Sequence, residues 1–451
     1  MLAADDRLPV PEDLLGRILE RTNEFVARLD SSVAAALDEC RGALEAAEHE
    51  LAPDDRAAFS ARLDVLADQL DDETRSIRLL DDAERLRTEI AGARSRRWQA
   101  SDGEGVLLRH INDFCRAKLD FGSGDIERLH TAIKTKPFVV LAGLTGTGKS
   151  SLARLYAEAT GATTRSGRFR RVAVRPDWID QSEVLGYINP MSNHFVPGWF
   201  ADVVRACNGE PDRLFFVLLD EMNLAPVEQY FAEYLSALEE SRSGSVDVRI
   251  PLYQRGVEPV NAPDWPADLR FPENLVVIGT VNVDESSKPL SDRVLDRASV
   301  LQLTLETSDR HHAERGAPLR PWVVPFSEWK QICVTEPDAE HHELLINIAQ
   351  LLQPCGIGVG IRTHIEIERF VANGRETLGA LAALDWGILQ RIVPKIRGYR
   401  GQLAPHLSEL RDRFAAAGLT RSERVFEGWL QSGLSDDDYI DGSDHQVGLM
   451  Q

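Results

Sequence analysis

Eight consecutive residues carry the most definite chemistry in the chain: Gly143-Leu144-Thr145-Gly146-Thr147-Gly148-Lys149-Ser150. This is the full spacing of a loop that wraps phosphates between a strand and a helix. The glycines let backbone N–H groups curl around anionic oxygens without Cβ clashes, and Lys149 supplies a point charge to the β- and γ-phosphates. The Ser150 hydroxyl is the expected Mg²⁺ ligand, with Thr145, Thr147 and Ser151 in the same cradle. Further on, Leu214-Phe-Phe-Val-Leu-Leu-Asp220-Glu221 puts two acids at the end of an apolar run. Asp220 would hold the hydrated Mg²⁺, and Glu221 would act as general base toward water. A kinase for small molecules would share the loop but has less need of the second acid. Asn282 closes a third apolar run, placed to bond the attacking water or the γ-phosphate. Arg293 and Arg297 then follow at i, i+4, on one face of a short helix.

These residues need a scaffold that brings three strand ends together. Phe138–Ala142, Phe215–Leu219 and Leu275–Gly279 are apolar throughout, as strands covered on both faces must be. Helical stretches lie between them, at Ser150–Ala159 and Val227–Ser241. The pattern predicts an α/β, doubly wound parallel sheet over residues 105–312. Helical signals dominate 313–432, which reads as a smaller helical lid domain. An acidic, weakly apolar end, 433–451, reads as a disordered tail. The first hundred residues form a separate block. Leu14, Ile18, Phe25, Leu29, Val33, Leu37 and Leu44 recur at helical spacing, as do Phe59, Leu63, Leu66, Leu70, Ile77 and Leu80 after Pro53. Two helices folded into a hairpin or coiled-coil arm are expected there, either as a docking arm or as a structural bundle.

Composition narrows the partners. Among 451 residues the formal charge is −21, against a surface built to grip nucleic acid along its length. The basic run Arg165, Arg168, Arg170, Arg171, with Arg175 behind it, reads as a solvated strand edge; a loop facing nucleic acid in a central pore is the sharper alternative. Five scattered cysteines show no metal or disulfide spacing, and no apolar run is long enough to cross a bilayer. With no signal-peptide pattern, the expected location is cytoplasmic and away from membranes. The pairs His311-His312 and His341-His342 read as solvated, and Trp178, Trp199 and Trp265 as packing residues.

The order of these motifs resembles the AAA+ ATPases over roughly residues 105–430, and most closely the branch of MoxR chaperones, dynein-type motors and McrB subunits of restriction systems. McrB-like stretches include Val174-Arg-Pro-Asp177-Trp178, Leu185-Gly-Tyr187-Ile-Asn189-Pro190, Asp220-Glu-Met-Asn223-Leu-Ala225, Val294-Leu-Asp296-Arg297-Ala298, Gly360-Ile-Arg362 and Ile392-Val-Pro394-Lys395. The resemblance implies a ring of identical subunits, hexameric, with nucleotide and Mg²⁺ at the interfaces. It implies that Arg297 acts in trans, that Arg362 touches phosphate from the lid, and that Gly186–Trp199 is an insert directed at the pore. GTP-using McrB proteins carry Met-Asn-x-x-Asp-Arg-Ser at the third motif. This chain has Val281-Asn282-Val283-Asp284-Glu285-Ser286, so ATP is the expected nucleotide and GTP the alternative. No DNA-reading domain and no nuclease constellation is evident. Two functions follow from the resemblance. One is a nucleotide-driven ring serving a separate effector, such as a nuclease, in a McrBC-like anti-phage defence system, with the effector docked through the helical arm or the ring face and nucleic acid met only through the complex. The other is a MoxR-like remodeller of a partner protein.

Overall fold

In the computed structural model, the residues described are 32–46, 51, 53–70, 83, 86, 96–164, 166–282, 290–303, 319–431 and 435–442. The chain divides into two compact units, Met1–Arg96 and Arg97–Gln451. In the first, residues 32–46 and Pro53–Leu70 are helical, with Pro53 opening its helix, where a missing N–H costs nothing. Val33, Leu37, Cys40 and Leu44 bury their stripe against Phe59 and Leu63. Ala83 and Leu86 complete this core. Leu14, Ile18, Phe25, Leu29, Ile77 and Leu80 lie outside the described residues.

The second unit is built on a five-stranded sheet in the order β2 (Phe169–Ala173), β5 (Phe215–Asp220), β8 (Leu275–Asn282), β1 (Phe138–Gly143), β9 (Ser299–Gln302). Every neighbouring pair is parallel. Alternate residues of β1 feed opposite cores. Val139 and Leu141 pack with Leu152 and Tyr156, while Phe138 and Val140 pack with Phe231 and Tyr234. That division is the reason the strands are apolar at every position. Close packing also sets composition. A Cβ on Gly279 would stand 1.9 Å from the Met222 sulfur, so only glycine lets β8 approach the segment that follows β5.

Three small antiparallel pairs decorate the sheet. The hairpin of β3 (Gly186–Asn189) and β4 (His194–Pro197) occupies the expected insert. It is braced by Asn261, whose side chain bonds both the N–H and the carbonyl of Phe195, and Asn261 lies between β6 (Arg249–Pro251) and β7 (Asp268–Arg270). At its turn Met191 is 93% exposed. β10 (Arg397–Tyr399) pairs with β11 (Tyr439–Asp441).

That last pair corrects the reading of a disordered acidic end. Within 435–442 the chain returns to the lid, where Ile440 is fully buried; one apolar side chain and ladder bonds outweigh the acidic composition around them. Six helices of the lid, from Phe326–Ile332 to Thr420–Gln431, share a continuous core with one face of the sheet. Asp385 sits buried at the start of the helix Thr420–Gln431, accepting the N–H groups of Arg421 and Ser422 at 2.9 Å each. His342, its side chain 41% exposed, also bonds the buried Glu368 at 2.6 Å. Trp178 and Trp265 are buried, in keeping with packing roles, and His311-His312 lie outside the described residues. Among the described residues no helix is long and apolar enough to cross a membrane.

Candidate active site

The ends of β1, β5 and β8 converge, with Gly143 opposite Asn282 in the ladder. Beyond β1, residues 144–148 turn into the helix Lys149–Ala159. Gly148 opens that helix at φ +84, and a Cβ there would press on Leu119 at 3.2 Å. Thr147 closes the turn with its hydroxyl on the Leu144 carbonyl, and Thr145 and Gly146 form its exposed crest. Ser151 lies in the helix's first turn.

Lys149 is buried, its ammonium donating to the Gly143 and Leu144 carbonyls at 2.8 and 2.7 Å. A phosphate in the loop would exchange those neutral acceptors for charged oxygens, a stronger set of bonds. Lys149→Ala should therefore weaken nucleotide binding itself, by roughly 10- to 1,000-fold in Kd, as loss of one partner of a desolvated charge pair does. Calorimetric titration of the variant measures this directly.

The Ser150 hydroxyl donates to the Asp220 carboxylate at 2.6 Å. Two hard oxygen groups at that separation suit Mg²⁺, which keeps several waters and takes further ligands from phosphate. Two residues that the spacing rules pass over meet the same carboxylate. Thr280 donates its hydroxyl to Asp220 at 2.8 Å and accepts the Glu221 N–H at 2.9 Å. Arg171 pairs with the other carboxylate oxygen. Burial pushes the Asp220 carboxyl up, but bonds from Ser150, Arg171 and Thr280 outweigh it and hold it below the usual range. Asp220 is thus held in its ionised form.

Glu221 takes the left-handed conformation, φ +54, uncommon for a residue with a side chain. The backbone turns sharply there, and its carboxylate accepts the Asn282 side-chain N–H at 3.2 Å. An exposed carboxylate with an amide beside it is an arrangement that can share one water. Val283, Asp284, Glu285 and Ser286 lie outside the described residues.

The two further arginines are elsewhere. Arg297 ends the helix Asp292–Arg297, and Arg362 stands in the first turn of the helix Ile361–Gly374. One carboxylate, Glu239, carries both: Arg362 at 2.8 Å on one oxygen and Arg297 on the other. Hydrogen bonds from Arg362, then Arg297, hold Glu239 below the usual carboxylate range. The cavity they border, about 260 Å³, is lined by the lid, by Leu238, Arg242, Ser243 and Asp296, and by no residue of the phosphate loop. Arg362 therefore shares its anion with Arg297 rather than with Lys149. The basic run divides too: Arg168 is buried on the Gly161 carbonyl, Arg170 reaches the Trp199 carbonyl, Arg171 joins Asp220, and Arg165 is outside the described residues. β2 is an edge strand, as expected, and its arginines Arg170 and Arg171 are exposed there while making these bonds.

Fold and site together define a P-loop nucleotide-binding protein with a parallel α/β domain and a helical lid. Residues 138–298 match the AAA domain of the dynein-related subfamily, and 322–434 match a domain of unknown function, DUF8727. The type IV methyl-directed restriction enzyme EcoKMcrB subunit of Escherichia coli (strain K12) is 24% identical over 176 residues. That match covers 38% of this chain and 36% of the relative, so the chain spans about a third of its length. Among solved structures, an ATPase candidate from Cytophaga hutchinsonii is 14% identical at a TM-score of 0.37, covering 63% of this chain and 84% of that one. NtrX from Brucella abortus is 14% identical at 0.26, covering 71% and 60%. Those two scores are too low to carry an argument. Residues 138–298 thus carry an AAA domain of the dynein-related kind, and the matches support an AAA+ ATPase of the branch that contains the MoxR and McrB proteins.

Proposed function

We propose that the chain assembles into a ring, hexameric, whose subunits hydrolyse nucleotide at their shared interfaces, with ATP preferred over GTP and Mg²⁺ as the metal. One observation carries this reading: Arg297 and Arg362 meet on Glu239, in a cavity that the subunit's own phosphate loop does not line. Two guanidiniums presented together there suit the γ-phosphate of a neighbouring subunit, where such a charge is worth roughly 10³–10⁵ in rate. Lys149, Ser150, Asp220, Glu221 and Asn282 would serve the subunit's own nucleotide.

The ring's work is on a separate effector, in a nucleic-acid-directed defence system of the McrBC kind and in the cytoplasm; the similarity to a restriction-enzyme subunit supports that setting. Docking would use the helical arm or a ring face. A second reading, remodelling of a partner protein in the MoxR manner, is favoured by the net charge of −21, which suits a protein client better than a polyanion. Turnover measured across protein concentration tests the shared site. Turnover per subunit should rise with concentration and level off once rings form by mass measurement. A constant turnover per subunit from monomer to ring would refute it. Stimulation of the assembled ring by DNA with the effector, against stimulation by a client protein alone, separates the two settings.

A further inference from the structure

Glu366 stands one helical turn after Arg362 and is 4% exposed. Its carboxylate meets three cations from three other parts of the fold: Lys136 at 2.7 Å, Arg242 at 3.0 Å and Arg391 at 3.3 Å. Lys136 stands two residues before β1, the strand that leads into the phosphate loop. Arg242 ends the helix Ala232–Arg242, three residues past Glu239, and Arg391 ends the lid helix Ala380–Arg391. Two of these cations hold the end of the helix that bears Arg297. The Lys136 ammonium donates to the Asp296 carbonyl at 2.9 Å, and Arg391 donates to the Leu295 carbonyl at 3.1 Å. The last carbonyls of a helix lack partners within it, and positive groups there are favourable. Lys395 adds a rim contact, reaching the Asp296 carboxylate at 3.0 Å and the Thr363 hydroxyl, next to Arg362, at 3.2 Å.

Burial alone pushes the Glu366 carboxyl up; Arg391, Lys136 and Arg242 reverse this and bring it to about 2. The group is therefore ionised at any pH at which the protein would work. Buried cations keep their places only while their counter-charge stays, because a desolvated charge without a partner is costly. Removing this carboxylate would release Lys136 and Arg391 from their positions, and with them the two carbonyls just before Arg297.

We propose that Glu366 is a positioning residue for hydrolysis: it locks the end of the Arg297 helix and the Arg362 turn into one frame, so that both guanidiniums reach a neighbouring subunit's phosphate together. This rests on the shared-site reading above.

The test uses the full chain, assembled into rings, with Glu366→Gln and Glu366→Asp. Each variant should bind nucleotide within about twofold of wild type. Its kcat should fall on the order of 10²-fold with KM little changed, the scale of misplacement by about an ångström. Mixed with Glu221→Gln, whose arginines are intact, Glu366→Gln should recover part of its turnover, because it still offers an intact loop and base. Wild-type kcat in both variants overturns the proposal. So does loss without recovery while a control mixture of Arg297→Ala and Glu221→Gln recovers, since Glu366 would then serve only its own subunit's fold or site. If the control mixture also fails in confirmed rings and wild type dosed into each variant gives only a linear loss, the shared-site reading itself falls, and the positioning role falls with it. Should Glu366→Gln not fold, Glu366→Asp decides by the same criteria, because it retains the charge and withdraws the carboxylate by one methylene.

Discussion

Glu221→Gln is expected to bind nucleotide and Mg²⁺ as wild type does and to lose at least about 10²-fold in kcat, the usual reach of a general base. The reasons are geometric. The backbone N–H of Glu221 is held by Thr280, its carboxylate lies beside Asn282, and Asp220 next to it is engaged by Ser150. The amide variant keeps the shape and the Asn282 neighbour but cannot accept a proton from water. Because Lys149 and the loop are untouched, affinity should hold. Rapid-quench hydrolysis with parallel calorimetry checks both halves. Wild-type turnover would remove Glu221 from the base role and leave the acid pair as a metal site alone.

Arg297→Ala should lower turnover on the order of 10³-fold or more, the range of a guanidinium at a phosphoryl transition state. Nucleotide affinity should stay nearly unchanged, since the subunit's own loop supplies most phosphate contacts. In the subunit itself Arg297 pairs with Glu239 and caps nothing on the loop, so a purely local account of it would predict a modest stability change and little kinetic effect. Mixing Arg297→Ala with Glu221→Gln separates the accounts. Interfaces that join an intact loop and base from one subunit to an intact Arg297 from the other should regain activity that neither variant has alone. A mixture without recovery, in rings confirmed by mass, means either that Arg297 acts within its own subunit or that several intact sites must fire in succession. A dose series of wild type into each variant tells these apart, because succession gives a steeper than linear loss.

Local chemistry was open to sequence reading, and long-range pairing was not. The phosphate loop is contiguous, and its glycines, lysine and serine act through backbone conformation that neighbours impose. Strand ends are marked by the last apolar residue, which is why Asp220, Glu221 and Asn282 could be set at one edge of the sheet from pattern alone. Thr280 carried a faint signal: a hydroxyl two residues before Asn282 in a strand otherwise apolar up to that point. Arg171 carried an incomplete one: the basic run lies at an exposed edge strand as read, but only the parallel register that sets Ala173 beside Asp220 brings it to the carboxylate. The acidic end misled in a similar way, because composition averages over a stretch in which one buried isoleucine decides.

By itself, then, the sequence determined the phosphate-loop motif, the alternation of strands and helices around it, and the change to a helical lid. Each of these rests on residues near one another in the chain. What only tertiary structure decided is where the arginines go. Arg362 and Glu239 are 123 positions apart, yet their side chains touch. Glu366 gathers Lys136, Arg242 and Arg391 from three separate elements. A charge's partner is set by which surfaces the cores bury against each other, and desolvation makes that partner obligatory once the surfaces close. No spacing rule encodes that choice, because the hydrophobic packing that makes it is non-directional and works across the whole unit.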